Sequence, residues 1–138
     1  MIVVGIRDTG TMHTITWEPH GLIRRLYGRS NWSEFYELSI STQADPRYDN
    51  VRYIIIDVLD WSHDGLAVSQ DEIDELAAIT AVANQRLPKD TQVAVVTRDQ
   101  RVCELAERFR TSRYANRRYG VFSTVDAARA WCDHPETA

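Results

Sequence analysis

Cysteine is almost missing from the 138-residue chain: Cys103 and Cys132 are the only two, and they fall on separate predicted helices. That excludes a disulfide framework and any C-x-x-C redox or zinc signature, and it reads both residues as reduced thiols at the edge of a core. Glycine (6) and proline (4) are sparse as well, which excludes a fibrous or low-complexity chain. No apolar run approaches the roughly 20 residues of a membrane-spanning helix. Met1 to Gly5 is too short for a signal-peptide core, so the expected compartment is the cytoplasm, without membrane insertion. The sequence also lacks a G-x-S-x-G elbow, a Walker loop and a G-x-G-x-x-G turn. Its four histidines (His13, His20, His63, His134) are scattered over strand, turn, loop and tail. No nucleophile–base pair can be nominated, and the chain is expected to be no enzyme and to hold neither cofactor nor metal.

Hydrophobic residues at 43% and charged residues at 26% match ordinary globular usage. A chain of this length builds one core, here expected over residues 1–132 as a single domain, with 133–138 a polar tail that frays. The net charge of −4 argues against generic nucleic-acid affinity, which requires many cations to displace phosphate counterions. The charges are segregated, however. Asp57, Asp60, Asp64, Asp71, Glu72, Asp74 and Glu75 gather mid-chain, whereas Arg98, Arg101, Arg108, Arg110, Arg113, Arg117 and Arg118 occupy the later third. Such polarity suits docking onto a charged partner, although charge runs often mean only solvated faces.

Met12 to Glu18 and Leu22 to Tyr27 flank the turn-forming Pro19-His20-Gly21, which predicts a β-hairpin. Ile2 to Ile6 could add an edge strand ended by Asp8-Thr9-Gly10. Ser30 reads as the N-cap of a first helix bearing Trp32, Phe35, Tyr36 and Ile40 and stopped at Asp45-Pro46. Val51 to Val58 is a β-branched run without alternation, as expected of a strand covered on both faces. A loop over 59–68 follows. Ser69 and Glu72 stand in capping-box spacing before a helical stripe, Ile73, Leu76, Ala77, Thr80, Ala83 and Leu87, ended by Pro88. Gln92 to Thr97 is a second buried strand, and Asp99 caps a helix carrying Val102, Leu105, Ala106 and Phe109. Residues 119–122 form a short strand, and Ser123 or Thr124 caps a last helix with Val125, Ala128 and Trp131. The fold class is therefore α/β: a mixed, largely parallel sheet flanked by helices, with an N-terminal hairpin. Ile54, Ile56, Val93, Val95, Leu105 and Phe109 are expected in one buried cluster.

The closing segment Tyr119-Gly120-Val121-Phe122-Ser123-Thr124-Val125-Asp126-Ala127-Ala128-Arg129-Ala130-Trp131 resembles the end of SpoIIAA-like domains, in which a strand ending in Phe leads into a helix with an Ala and a terminal Trp. Together with Ile54-Ile55-Ile56-Asp57 and Val93-Ala94-Val95-Val96 the resemblance extends over about residues 12–132 in order and type of elements. It implies a STAS-type fold, related to the carboxy-terminal half of lipid-carrying SEC14-type domains. STAS-class antagonists carry a phosphorylatable Ser just before a Gly-Leu pair. Here Asp64 precedes Gly65-Leu66, and neither Ser62 nor Ser69 matches the motif. A carboxylate in that place would leave the surface permanently anionic.

Asp57, Asp60, His63 and Asp64 concentrate titratable groups at the carboxyl end of a central strand, where α/β sheets place ligands. Their spacing matches no metal-ligand motif, so the stretch Asp57, Asp60, Trp61, Ser62, His63, Asp64 and Gly65 reads as an interaction loop. Trp61 there is either a lid over the core or a binding anchor. Thr97, Arg98 and Asp99 open a helix and could hold an anion, or Asp99 could simply cap it. Arg113-Tyr114-Ala115-Asn116-Arg117-Arg118-Tyr119 interleaves Arg with aromatics as single-strand binders do, but no stacking platform accompanies it, and no nucleic acid partner is expected. The expected function is a non-catalytic regulatory or protein-interaction module, with another protein or a second copy of the chain as partner. The alternative is a carrier or sensor of a small apolar ligand or lipid, by analogy with the SEC14 type.

Overall fold

The computed structural model describes residues 2–6, 12–63 and 68–133. A six-stranded sheet holds its strands side by side in chain order. These are β1 (Ile2–Ile6), β2 (Met12–Trp17), β3 (Gly21–Ser30), β4 (Tyr53–His63), β5 (Gln92–Val96) and β6 (Arg118–Phe122). β2 runs antiparallel to both β1 and β3, and the pairs β3/β4, β4/β5 and β5/β6 are parallel. The expected edge strand and hairpin are both present, with Glu18 N–H donating to the Gly21 carbonyl at 2.8 Å. At Gly21 a Cβ would stand 2.5 Å from the Tyr53 ring, so only glycine allows the aromatic to lie across the hairpin base.

A helix bridges each parallel pair: α1 (Trp32–Gln43) with a 3₁₀ turn at Pro46–Asn50, α2 (Gln70–Asn84) and α3 (Gln100–Arg110). With strands in chain order, crossovers of one hand put all three helices on the same face. The packing agrees. On that face Leu22, Ile54 and Val93 form one cluster, Leu26, Leu38, Val58 and Val102 a second, and Val68, Ile73 and Leu105 a third. α4 (Val125–Asp133) follows β6 and covers the opposite face, where Ala128 packs with Ile23, Ile55, Ala94 and Val96, and Trp131 lies 5.3 Å from Phe122. Cover on both faces is why β4 and β5 read as unbroken apolar runs.

Several boundaries differ from the sequence expectations. The N-cap of α1 is Asn31, whose side chain accepts from Glu34 N–H at 3.1 Å, because Ser30 still belongs to the β3 ladder opposite His63. α2 stops at Asn84 rather than at Pro88, and the chain leaves through tighter bonds such as Leu87 N–H to the Asn84 carbonyl at 3.0 Å. The Ser69–Glu72 capping box, the Asp99 cap and a Thr124 hydroxyl accepting from Ala127 N–H at 3.1 Å are as expected. Cys103 and Cys132 are free and half-buried. The predicted turn at Asp8-Thr9-Gly10 and residues 134–138 of the tail lie outside the described residues, while Asp133 closes α4.

Candidate functional site

The largest departure from expectation lies at the carboxyl end of β4. Residues 59–63, expected to be loop, continue the strand as far as His63. Arg25 of β3 pairs with Asp57 and Tyr27 with Asp60, so β4 carries one extra residue and bulges. The bulge resets the side-chain alternation. Leu59 still follows Ile55 on the α4 face, but beyond it Trp61, rather than Asp60, turns under the helices. Opposite Trp61 stands Gly28 at φ 69°, a left-handed conformation that suits glycine. Trp61 is only 7% exposed and lies 5.9 Å from the Phe35 ring, so it is a core residue and not a surface anchor.

Asp57 is also inside rather than on a loop. Its carboxylate accepts from Arg25 Nε at 2.8 Å and from Leu59 N–H at 3.1 Å, which fastens the bulge. The same carboxylate raises the Arg25 guanidinium above its ordinary value. Asp60 and Ser62 are exposed, while Asp64 and Gly65 lie outside the described residues. At the head of α2 the carboxylates of Asp71, Glu72 and Glu75 face solvent, and Ile79 and Val82 on the same helix are exposed at 36% and 65%.

The other two candidate stretches perform capping. Thr97 is buried, and its hydroxyl accepts from Asp99 N–H at 3.1 Å. Asp99 in turn accepts from Arg101 N–H at 2.8 Å, so an anion approaching α3 beside exposed Arg98 would meet a carboxylate. In the Arg-rich stretch, Arg117 Nη2 donates to the carbonyls of Asn84 and Leu87 at 2.5 and 3.2 Å. Asn116 Nδ2 donates to the Ala81 carbonyl at 3.0 Å. These residues close the carboxyl end of α2.

A feature absent from the sequence reading lies beneath α1, α2 and α3. Ile54 and Ile56 of β4 and Val93 and Val95 of β5 floor a partly open cavity of about 90 Å³. The six residues expected in one cluster are thereby divided. Ile54 and Val93 belong to one cluster, Val95 packs against a second, Ile56 packs against both, and Leu105 belongs to a third with half-buried Phe109 against it. Arg24 of β3 reaches into the cavity from the same face as Leu22 and Leu26. It is 5% exposed. Nε donates to His13 Nε2 at 3.4 Å and Nη1 to Ser39 Oγ at 3.3 Å, both long, and Nη2 is sealed from solvent with no partner. Burial lowers its guanidinium to about 10. Near it the Tyr48 hydroxyl donates to Asn84 Oδ1 at 2.8 Å, and burial raises that phenol. The only sequence signal for this site was a charge at an alternation position otherwise held by leucine.

Among the described residues no group of three or more His, Cys, Asp or Glu side chains could hold a metal ion, and no helix is long and apolar enough to cross a membrane. No family model and no curated protein matches the sequence. Solved structures do. An uncharacterised protein of the DUF3478 family with a SpoIIAA-like fold, from Shewanella loihica PV-4, is 14% identical with a TM-score of 0.52, over 95% of this chain and 93% of that one. An anti-sigma factor antagonist from Mycobacterium paratuberculosis is 15% identical with a TM-score of 0.56, over 94% of this chain and 99% of that one. The fold is SpoIIAA-like, of the STAS type, as the closing Tyr119 to Trp131 segment implied.

Proposed function

We propose that the chain is a cytoplasmic regulatory protein-interaction module, with no chemistry of its own, that docks its partner on the edge formed by the end of β4 and the head of α2. The observation that carries this reading is the display of Asp60 and Ser62 at the end of β4 and of Asp71, Glu72 and Glu75 on α2, next to exposed Ile79 and Val82. Acidic groups in the first turn of a helix are favoured by its dipole, so they burden the fold little. An anionic rim beside apolar side chains fits a basic protein partner: the charges steer the encounter and the apolar groups hold the complex. By chain order this surface would extend from His63 to Asp64 and Gly65, where Asp64 would supply a fixed negative charge in place of a phosphorylatable serine. The occurrence of the fold in an anti-sigma factor antagonist supports the reading.

The test pairs partner capture in the native host with association kinetics at two ionic strengths. Asp60→Asn combined with Glu75→Gln is expected to slow association several-fold and flatten its salt dependence. Stability should stay within about 1 kcal/mol of the parent, because exposed charges contribute little to folding. Unchanged kinetics would remove this edge as the docking site.

A further inference from the structure

We infer that the cavity beneath α1, α2 and α3 is a binding site for a small aliphatic carboxylate, whose carboxyl group pairs with the Arg24 guanidinium and whose tail lies on Ile54, Ile56, Val93 and Val95. The inference is independent of the docking edge.

An ionised side chain taken out of water is strongly disfavoured unless it is paired. Arg24 has five N–H donors, yet its bonds to His13 and Ser39 are long and Nη2 has none. Arg25, its neighbour on the other face, has Asp57 at 2.8 Å; among the described residues no such carboxylate pairs with Arg24, where burial dominates. An anion therefore completes the site.

The surroundings select the anion. The hydroxyls of Ser39, Thr42 and Tyr48 already donate to the Phe35 carbonyl, the Leu38 carbonyl and Asn84 at 2.9, 2.7 and 2.8 Å, so they offer no hydrogen to a guest. One guanidinium without a second cation or a fan of backbone N–H groups matches a single carboxylate and not a phosphate, which asks for more donors. The floor of Ile54, Ile56, Val93 and Val95, with Phe35, Leu76 and Phe109 beside it, is apolar and suits an apolar tail. At about 90 Å³ the cavity is smaller than an engineered void of roughly 150 Å³ that accepts benzene, which limits the tail to about three to five carbons.

The experiment is calorimetric titration of the purified full chain with pentanoate, its neutral isostere pentanamide, decanoate and inorganic phosphate. Saturable one-to-one binding of pentanoate is expected, with pentanamide weaker by about ten- to a hundredfold, the worth of a hydrogen bond to a charged group. Arg24→Met, which keeps the side-chain length and removes the charge, should lose pentanoate by a similar factor. Val95→Phe, which fills the cavity and keeps the cation, should lose it too. Should either variant fail to fold, the other and the amide comparison remain decisive. The proposal is overturned by failure of pentanoate to bind, by equal binding of pentanamide, or by full retention in either folded variant. Decanoate binding far more tightly than pentanoate would replace the small acid with a long-chain lipid, and preference for phosphate would replace the carboxylate.

Discussion

Removing the buried cation should make this protein more stable. A guanidinium lowered by burial from its ordinary value to about 10 is disfavoured in the fold by roughly 3 kcal/mol. Since the folded-state value is the lower one for a base, the unfolded chain binds the extra proton between these two values. The handicap is therefore fully present at neutral pH and is relieved only as pH climbs above about 10 toward the ordinary guanidinium value. Arg24→Met discards the handicap along with two long hydrogen bonds and the guanidinium's position 5.7 Å from the Phe35 ring centre. Those interactions are worth about 0.5 to 1.5 kcal/mol each. Both hydrogen bonds are long, so the lower figure applies to each, and three such losses leave a net gain of about 1–1.5 kcal/mol at pH 7 without added carboxylate, the direction seen when buried charges give way to apolar residues of like volume. Urea unfolding at constant m-value reads this directly. A loss above about 1 kcal/mol would refute the reasoning, because it would mean that the guanidinium is well paired in the fold.

Trp61→Ala should cost about 3–5 kcal/mol in the same urea assay, since the indole is buried between Leu26, Leu38 and Val58; a loss below about 1 kcal/mol would return it to the surface. Glu18 receives Arg129 Nη2 at 2.7 Å and the Tyr53 hydroxyl, and its carboxyl is held below the usual 4.5, chiefly by the Arg129 hydrogen bond. For an acid so shifted, the stabilisation is present above pH 4.5 and is lost as pH falls through the lower folded value. Glu18→Gln should therefore be less stable than the parent at neutral pH and should converge with it in acid, as followed by thermal melts across that window.

The hairpin around Pro19-His20-Gly21, the capping box at Ser69 and the apolar runs of β4 and β5 were all legible because each is written within a few consecutive residues. Turn chemistry, cap spacing and β-branched composition act locally. Trp61 was not legible in this way. Continued alternation from Ile54, Ile56 and Val58 would have put Asp60 under the helices, and only the extra residue in the β3/β4 register turns Trp61 there instead. Asp57 reads as part of an acidic cluster until Arg25, 32 residues earlier in the chain, is set beside it.

Element order and the covered faces of the central strands thus belong to the sequence alone, since local propensity and hydrophobic periodicity act over one or two turns. The bulge, the pairing of Asp57 and the cavity around Arg24 belong to the tertiary structure. They depend on which side chains of β3, α1, α2 and α3 meet over one face of the sheet, and therefore on the register between strands. A one-residue change in that register exchanges the buried and exposed sides of a strand, so local pattern cannot decide it.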